Sequence, residues 1–468
     1  MKQVKFSARS ATSVAVAILC LGASATAFAQ VEAKVTGRVH FDARNISNSY
    51  NVIADRDSAS VGDTFEVRRA RIGVAGTINK DISYEVVGNG VGSSTNWVDT
   101  AYGNYGFNKK AQVRVGRFKQ PFSLEEQTSS NNIDFMERSY GNAMVPGKRL
   151  GVMLHGAPIK GLTYAASIYQ DGFNELTNQS SLGTKQVARL TLNLAEMNDI
   201  KDSVLHIGAG YTGGDSSVVP VNSGNTQSAA DTTTRATLVS LRSENRGQAN
   251  VYRAQIGGDT LRSVAASGQL PGYNVSANNA VNINQKLRGI ELAGARGPFK
   301  FQMETFNSKY DANGTVQNLT TLATSNSTAG VQVKTDYMEF MYNITGESWA
   351  DAYKGGAFGG IKPKTNFMTD YGGVVGNGTG AWQAGYRTSK YAASDFTSVG
   401  TGGRQQNTAT ARTNTYALNW VMNSNARVMF NYAETKFGTS INLLDTTTST
   451  SGATDKERVI SVRSQFNF

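Results

Sequence analysis

The sequence predicts an all-β protein: a transmembrane antiparallel β-barrel of sixteen strands, with eighteen strands as the alternative. The chain contains 49 glycines, 19 tyrosines and 20 phenylalanines but only 7 prolines, and its apolar residues alternate with polar ones rather than recurring at a helical period. After the N-terminal segment, no apolar run approaches the ~20 residues of a transmembrane helix. A soluble β protein of this length usually divides into linked domains, and the sequence contains no linker. A closed barrel fits because it satisfies every backbone group within a membrane.

The first 29 residues are predicted to be a secretory signal peptide, followed by a single barrel domain over residues 30–468. The peptide has a basic start, an apolar stretch over 11–21 and an Ala-Phe-Ala cleavage site that ends at Ala29. Its removal takes away three basic residues and no acidic one, so the formal net charge falls from +11 to +8. It also removes Cys20, the only cysteine, so the exported chain has neither a disulfide nor a thiolate metal site.

Strands are predicted wherever about ten residues alternate between an apolar and a polar face. In the first strand, over 34–44, Arg38 and His40 share a face that cannot point at lipid, so this face is expected to line the lumen. The other strands are predicted over 64–77, 81–91, 96–108, 111–118, 150–158, 161–171, 185–196, 204–213, 287–296, 299–310, 333–345, 380–391, 412–422, 426–437 and 457–468. Two segments, 234–243 and 250–260, alternate less clearly, and counting them as strands raises the total to eighteen.

The predicted connections mostly alternate between short and long, as bacterial barrels require. Short turns are predicted at 79–80, 108–110, 159–160, 297–298 and 423–425. Long polar loops are predicted at 45–63, 119–149, 214–233, 311–332, 392–411 and 438–456. The connection 346–379 departs from this order, because it is long where a short turn is due.

Residues 119–149 form the most distinctive connection, since a loop of about thirty residues in a compact domain is normally functional or disordered. We interpret the apolar residues along it as anchors that hold it against another part of the protein: Phe122, Leu124, Ile133, Phe135, Met136 and Tyr140. Basic residues flank it or lie within it, namely Lys119, Arg138, Lys148 and Arg149. The loop is therefore predicted to be ordered and folded back.

The residue types needed for catalysis or metal binding do not come together in the sequence. The three histidines form no H-E-x-x-H motif or other close pair, so no zinc site is predicted. There is no G-x-S-x-G motif, and the glycine-rich run 372–378 lacks the lysine of a phosphate-binding P-loop. We therefore predict neither an enzyme nor a cofactor or metal site.

The functional groups that we predict in the lumen are basic side chains. Arg38 and Arg114 are assigned inward because their sequence neighbours are apolar. In TFEVRRARIGVAGT, alternation sends Arg69 and Arg71 to one face and Arg68 to the other unless a bulge intervenes, so Arg68 is expected at a rim or a subunit contact. Guanidinium groups pair with phosphate oxygens, and rings of Arg and Lys serve anion pores. Ordinary porins also carry basic lumen residues, so a weakly selective diffusion pore is the alternative.

The last strand has one apolar face, formed by Ile460, Val462, Phe466 and the terminal Phe468. Such an end resembles the signal through which the barrel-assembly machinery takes up outer-membrane barrels. A soluble edge strand that happens to end in phenylalanine is the alternative. Together with the signal peptide and the alternation along the whole chain, the pattern indicates a bacterial outer-membrane protein in contact with outer-membrane lipid.

Several motifs resemble the phosphate-selective porin O and P family of Gram-negative outer membranes, over essentially the whole exported chain. The matching segments include RRARIGVAG (68–76), VGRFKQPFSLEE (115–126), SSNNIDFMERS (129–139), GKRLGVMLHG (147–156), GIELAGARGPF (289–299) and YMEFMYNITGES (337–348). The pair formed by FKQPFSLEE and FMERS is the most specific of them.

This resemblance implies a homotrimer of sixteen-stranded barrels in which the third long loop, 119–149, folds into the lumen as a constriction. It also implies passive conduction of phosphate or related oxyanions past basic residues, without a nucleic-acid partner. The candidate residues are Arg38, Arg69, Arg71, Arg114, Lys119, Arg138, Lys148 and Arg149. Acidic residues in the same loop argue against a purely cationic constriction: Glu125, Glu126, Asp134 and Glu137. A structural or adhesive surface protein is a further alternative.

Overall fold

The computed structural model describes residues 31–47, 63–91, 97–171, 183–218, 236–246, 251–256, 281–317, 324–367, 378–399, 404–444 and 451–468. The predicted signal peptide lies outside these residues. Sixteen strands form one closed antiparallel barrel, as predicted. In chain order they are β1 (Glu32–Ser47), β2 (Thr64–Thr77), β3 (Ile82–Asn89), β4 (Val98–Asn108), β5 (Ala111–Lys119), β6 (Lys148–Gly156), β7 (Leu162–Asp171), β8 (Gly183–Asn193), β9 (Ser203–Val218), β10 (Val281–Arg296), β11 (Phe299–Gln317), β12 (Thr324–Asn343), β13 (Ala381–Val399), β14 (Thr410–Val421), β15 (Ala426–Leu444) and β16 (Ser451–Asn467).

The alternative of eighteen barrel strands is wrong. The strands Ala236–Leu241 and Tyr252–Ile256, which correspond to the two weaker segments, form a separate three-stranded sheet with Arg404–Asn407. All five residues of Tyr252–Ile256 are buried, whereas a barrel strand exposes every second side chain to lipid. A strand buried on both faces cannot belong to the barrel wall.

Burial alternates along the wall in the sense expected for a membrane barrel. Every second residue of β10 is buried, and most residues between them are exposed. On this strand the apolar Ile290 is 55% exposed, while its neighbour Glu291 is 1% exposed. Exposed apolar and buried polar side chains reverse the order of a soluble protein. The polar face therefore points into the barrel and the apolar face into the membrane.

Asparagine side chains close three of the predicted short turns. The Asn79 Oδ1 accepts hydrogen bonds from the N–H groups of Asp81 at 2.8 Å and Ile82 at 2.9 Å. Asn108 and Asn423 accept the corresponding pairs of hydrogen bonds in their own turns. These side chains reverse the chain within a few residues. By the rule that short turns of bacterial barrels are periplasmic, they mark the periplasmic end of the wall.

The first and last strands close the barrel at this periplasmic end. The N–H of Phe468 donates to the carbonyl of Gly37 at 3.1 Å, and the N–H of Gly37 donates to the carbonyl of Phe468 at 2.8 Å. The terminal residue thus completes the backbone ladder between β1 and β16, while its ring stays on the exposed outer face.

The described residues 344–367 of the connection between β12 and β13 fold into a compact unit where a short turn was due. It contains the 3₁₀ helix Ala350–Ala352 and a hairpin formed by Tyr353–Lys354 and Ala357–Phe358. The Nζ of the buried Lys300 lies 4.9 Å from the ring centroid of Trp349 and 4.5 Å from that of Phe358. Because Lys300 points inward from β11, this connection packs against the inner face of the wall.

The helices are short, with one four-residue α-helix at Leu124–Gln127 and another at Leu194–Met197. In the described part of the chain, no helix is both long and apolar enough to cross a membrane.

Candidate functional site

A cavity of about 840 Å³ brings together the basic residues singled out in the sequence. It is bounded by strands β1 to β8, by the loop 119–149 and by the tip of the hairpin that follows β12. All eight candidates line it: Arg38, Arg69, Arg71, Arg114, Lys119, Arg138, Lys148 and Arg149. The structure therefore places them around a single space.

Positive charge predominates in this cavity. Lys109, Arg117 and Arg189 add to the eight candidates and bring the basic side chains to eleven. The carboxylates in the lining number three: Glu85, Asp99 and Glu126. A concave surface with this excess of cations focuses a positive potential and concentrates anions.

The arginines of β2 share the inner side because a β-bulge interrupts the alternation. His40 of β1 pairs with Arg69, while the next residue, Phe41, pairs with Val67, so Arg68 has no partner in the ladder. An extra residue of this kind re-aims the side chains beside it. The expectation that Arg68 lies at a rim or a subunit contact is therefore wrong.

Two of the inward arginines of β2 pair with different carboxylates. The Arg68 Nε lies 3.0 Å from the carboxylate of Glu137 in the loop 119–149. The Arg71 Nη2 lies 2.7 Å from the carboxylate of Asp99 on β4. The interior position of Arg68 adds a basic group that alternation alone could not assign.

Asp99 is the acidic centre of the cavity. It pairs with Arg71 and also with the ammonium group of Lys148. The neighbouring Arg38 donates from Nη1 to the Ser130 hydroxyl at 2.9 Å, which orients the guanidinium without neutralising it. One carboxylate among three cations leaves this region positive. Within the described ranges, no group of three His, Cys, Asp or Glu side chains is arranged to hold a metal ion.

Lys119 and Arg138 brace the loop as well as lining the cavity. The Lys119 ammonium donates to the carbonyls of Glu126 and Thr128, the second at 3.0 Å. The Arg138 guanidinium donates to the carbonyl of Glu125 at 3.1 Å and to that of Thr128 at 2.9 Å, and it pairs with the Glu126 carboxylate at 3.4 Å. Cations at the last carbonyls of a helical turn are favourable. These two residues therefore hold the shape of the loop.

Arg114 lies toward the periplasmic end of the cavity. Its guanidinium carbon is 4.2 Å from the ring centroid of Tyr102, and its Nε donates to the Asn104 Oδ1 at 3.3 Å. A phenol ring and an amide fix the guanidinium without cancelling its charge. At the opposite end, Arg149 pairs with Asp171 at 3.2 Å. The positive charge thus extends along the length of the cavity.

The carboxylate of Glu137 ties the loop 119–149 to three strands. It lies 3.0 Å from Arg68 of β2, 3.1 Å from Arg44 of β1 and 3.5 Å from Arg463 of β16. Although burial opposes ionisation, the arginines hold the pKa of Glu137 well below its usual range. The same Arg463 donates to the carbonyl of Met136 at 2.7 Å. The loop is therefore anchored by charge as well as by its apolar residues.

Arg387 is a central residue that the sequence did not single out. It is 1% exposed, and its guanidinium pairs with Glu125 at 3.1 Å and with Glu244 at 2.6 Å. Glu244 follows the strand Ala236–Leu241, so Arg387 joins two separate loops to β13. Alternation in GAWQAGYR gives its inward direction, but its partners lie 143 and 262 residues away. No sequence spacing could connect them.

Comparison with known proteins gives one family and several distant structures. The family model of the phosphate-selective porin O and P matches residues 33–468. OmpT of Vibrio cholerae in its trimer form is 10% identical, with 94% of this chain and 100% of that chain covered and a TM-score of 0.49. The outer membrane channel DcaP of Acinetobacter baumannii is 11% identical, with 94% and 98% covered and a TM-score of 0.48. An anion-selective porin from Comamonas acidovorans is 8% identical, with 94% and 100% covered and a TM-score of 0.44. No curated protein matches the chain significantly.

Proposed function

Since the chain belongs to the phosphate-selective porin O and P family and forms an anion-preferring outer-membrane porin, we propose that it passes phosphate or related oxyanions by passive diffusion. The observation that carries this proposal is the cavity in which eleven basic side chains face three carboxylates. The tetrahedral oxygens of an oxyanion suit the forked donors of arginine. Several moderate sites in series let an ion enter and also leave.

We infer that the loop 119–149 crosses the lumen and is the constriction of the pore. Its partners include Arg68 on β2, Glu304 on β11 and Arg387 on β13, which are inward-facing side chains on well-separated parts of the wall. A segment outside the barrel could not meet all three. With the loop in this place, the open path runs along β1 to β8, where the basic residues lie.

A general porin of weak selectivity is the second candidate, and the ion pairs of the cavity favour it. Asp99 pairs with two cations, and Glu126 pairs with Arg138. Each such pair reduces the charge that a passing ion experiences. In this second reading, the excess of basic residues biases the current toward anions without a preference for phosphate.

We further propose that the protein is a homotrimer, exported by cleavage of residues 1–29 and inserted by the barrel-assembly machinery through Phe468. The exposed ring of Phe468, 56% accessible on the outer face, supports the last step. An assembly factor could contact this ring before the backbone of the same residue closes the ladder with Gly37.

Planar-bilayer recording of the purified porin tests these functions. A reversal potential on the anion side in a chloride gradient, together with saturable block of the chloride current by added phosphate, is the expected result. An anion-biased current that phosphate does not block supports the weakly selective porin. A membrane that stays closed after insertion of folded protein contradicts both and leaves the structural or adhesive role.

A further inference from the structure

A row of basic side chains crosses the outer face of the barrel. Lys390 of β13, Arg412 of β14, Lys436 of β15 and Lys456 of β16 are direct partners in consecutive strands. All four are exposed on the side that faces away from the lumen. Like charges directly opposite each other destabilise a sheet. Such a row therefore indicates an anionic partner.

The same face continues in this way over β10 to β12. Lys286 is the direct partner of Lys309. Arg288 and Lys334 both flank Asn307, one on each side. With Arg458, two residues along β16 from Lys456, the set comprises nine residues that we call the basic girdle: Lys286, Arg288, Lys309, Lys334, Lys390, Arg412, Lys436, Lys456 and Arg458.

Acidic residues compensate this charge only in part. Three exposed ion pairs occur in the girdle, at 3.2, 3.1 and 3.0 Å: Lys309–Asp311, Lys390–Asp336 and Arg458–Glu434. A fourth acid, Asp215 on β9, accepts a hydrogen bond from Asn284. Exposed pairs contribute little free energy, so these contacts do not prevent the cations from meeting another anion.

The girdle borders the apolar membrane band on the side of the long loops. Tyr416 stacks with Tyr432 on the next strand, with ring centroids 6.4 Å apart. Arg412 and Lys436 lie four residues from these two tyrosines on their strands, which corresponds to about 13 Å along a strand. Tyrosines of this kind mark the membrane interface. The girdle therefore lies at the level of the headgroups of the outer leaflet.

We propose that the basic girdle binds the phosphate groups of the phosphorylated glycolipid in the outer leaflet. A single lipid molecule can lay its acyl chains on the apolar band and present its phosphates to the cations directly above. Because the basic girdle and the apolar band adjoin, we expect a ligand with both an anionic and an apolar part. A lipid has both parts, whereas a soluble anion has only the first. Arg and Lys both pair well with phosphate oxygens, and clusters of them at a membrane surface bind anionic headgroups.

The test compares two variants of the full exported chain, purified in detergent. R412Q/K436Q/K456Q removes three neighbouring charges of the girdle. The control K80Q/K110Q/K201Q removes three exposed charges from the short connections at the periplasmic end. Native mass spectrometry measures binding of hexa-acylated lipid A that carries two phosphates, and of the same lipid with both phosphates removed.

The girdle variant should bind the phosphorylated lipid about 100-fold more weakly than the parent, because each basic residue near an anionic surface changes the affinity about fivefold. The control should bind it as the parent does. The parent should also bind the phosphate-free lipid about 100-fold more weakly than the phosphorylated one.

Three results would overturn the proposal. Equal affinity of parent and girdle variant for the phosphorylated lipid would show that the girdle does not contact it. Equal affinity of the parent for both lipids would show that the phosphates are not recognised. Dissociation of the oligomer in the girdle variant alone would assign the row to a contact between copies of the chain. Unchanged single-channel conductance of the variant verifies that it is folded.

Discussion

Replacement of Arg387 by methionine should release the loop 119–149 and enlarge the pore. The guanidinium is buried between the carboxylates of Glu125 and Glu244, and it also lies 4.5 Å from the ring centroid of Phe135. Removing one partner of a buried ion pair costs about 3–5 kcal/mol, because the remaining charge is left uncompensated. This cost falls on the packed position of the loop, since both carboxylates belong to loops and only the arginine belongs to the wall.

A cost of this size shifts the equilibrium between the packed and the released loop by about 150- to 5,000-fold. Single-channel recording in molar KCl should then show a larger conductance and more current noise. The ratio of anion to cation permeability should fall as well, because Arg138 leaves the pore together with the loop. Arg296→Met, which removes an exposed arginine at the periplasmic end of β10, should leave the conductance unchanged.

A compensated variant separates electrostatics from simple loss of packing. E125Q/E244Q/R387M leaves no unpaired charge at the same place, so its conductance should return toward that of the parent. If R387M has the parental conductance and noise, Arg387 does not hold the loop in the lumen. If the triple variant is as open as R387M, the uncompensated carboxylates are not the cause.

Substitutions at the cavity lining and at the loop anchor Glu137 should change conduction in different ways. Arg38→Glu and Arg114→Glu should each lower the anion-to-cation permeability ratio on the order of tenfold, because a change of two charge units at about 6 Å from a passing ion in water amounts to about 1.4 kcal/mol. The control Arg296→Glu should leave the ratio unchanged. Unchanged reversal potentials for both cavity variants would refute the anion role. Gly355, at the tip of the hairpin in the cavity lining, has a φ of 60°, and a Cβ there would meet no atom within 4 Å. Asn tolerates this backbone, so Gly355→Asn should reduce the conductance without changing ion selectivity, and a parental conductance would mean that ions do not pass this tip. Because the pKa of Glu137 is held below its usual range, its stabilisation of the loop is complete above the ordinary glutamate pKa of about 4.3 and is lost only as the pH falls through the lowered value. The conductance should therefore stay constant from neutral pH to about pH 5 and rise in stronger acid. The variant Glu137→Gln should show the higher conductance already at neutral pH. A parental conductance that rises near neutral pH would contradict this role of Glu137.

The barrel and much of its site follow from local patterns in the sequence. Alternation has a period of two residues, so each strand reveals its own inner and outer face. Asparagines at the ends of strands reveal the short turns. Strands that follow one another in the chain are also neighbours in the wall. The amino-acid sequence alone therefore predicts that the inward basic residues of β1 to β8 lie near one another.

What the sequence could not provide has two physical causes. The first is a single extra residue, Arg68, which turns the face of a strand without changing its composition. The second is pairing over long distances, as between Arg387 and the loop residues Glu125 and Glu244. The sequence also left open whether the strand Tyr252–Ile256 belongs to the wall. A strand buried inside the barrel and a strand in the wall can share a short apolar pattern, so periodicity does not distinguish them.

The two basic features of the molecule lie on different parts of the wall. The basic cavity follows the inner face of β1 to β8, whereas the basic girdle lies on the outer face of β10 to β16. The inner faces of β10 to β15 contribute to apolar clusters with loop residues such as Phe122 and Tyr140. A change on the outer surface of this packed half is therefore separated from the basic cavity by a layer of buried side chains. Neutralising the girdle should weaken lipid binding without altering ion flow, and changes such as Arg38→Glu should alter ion flow without affecting lipid binding.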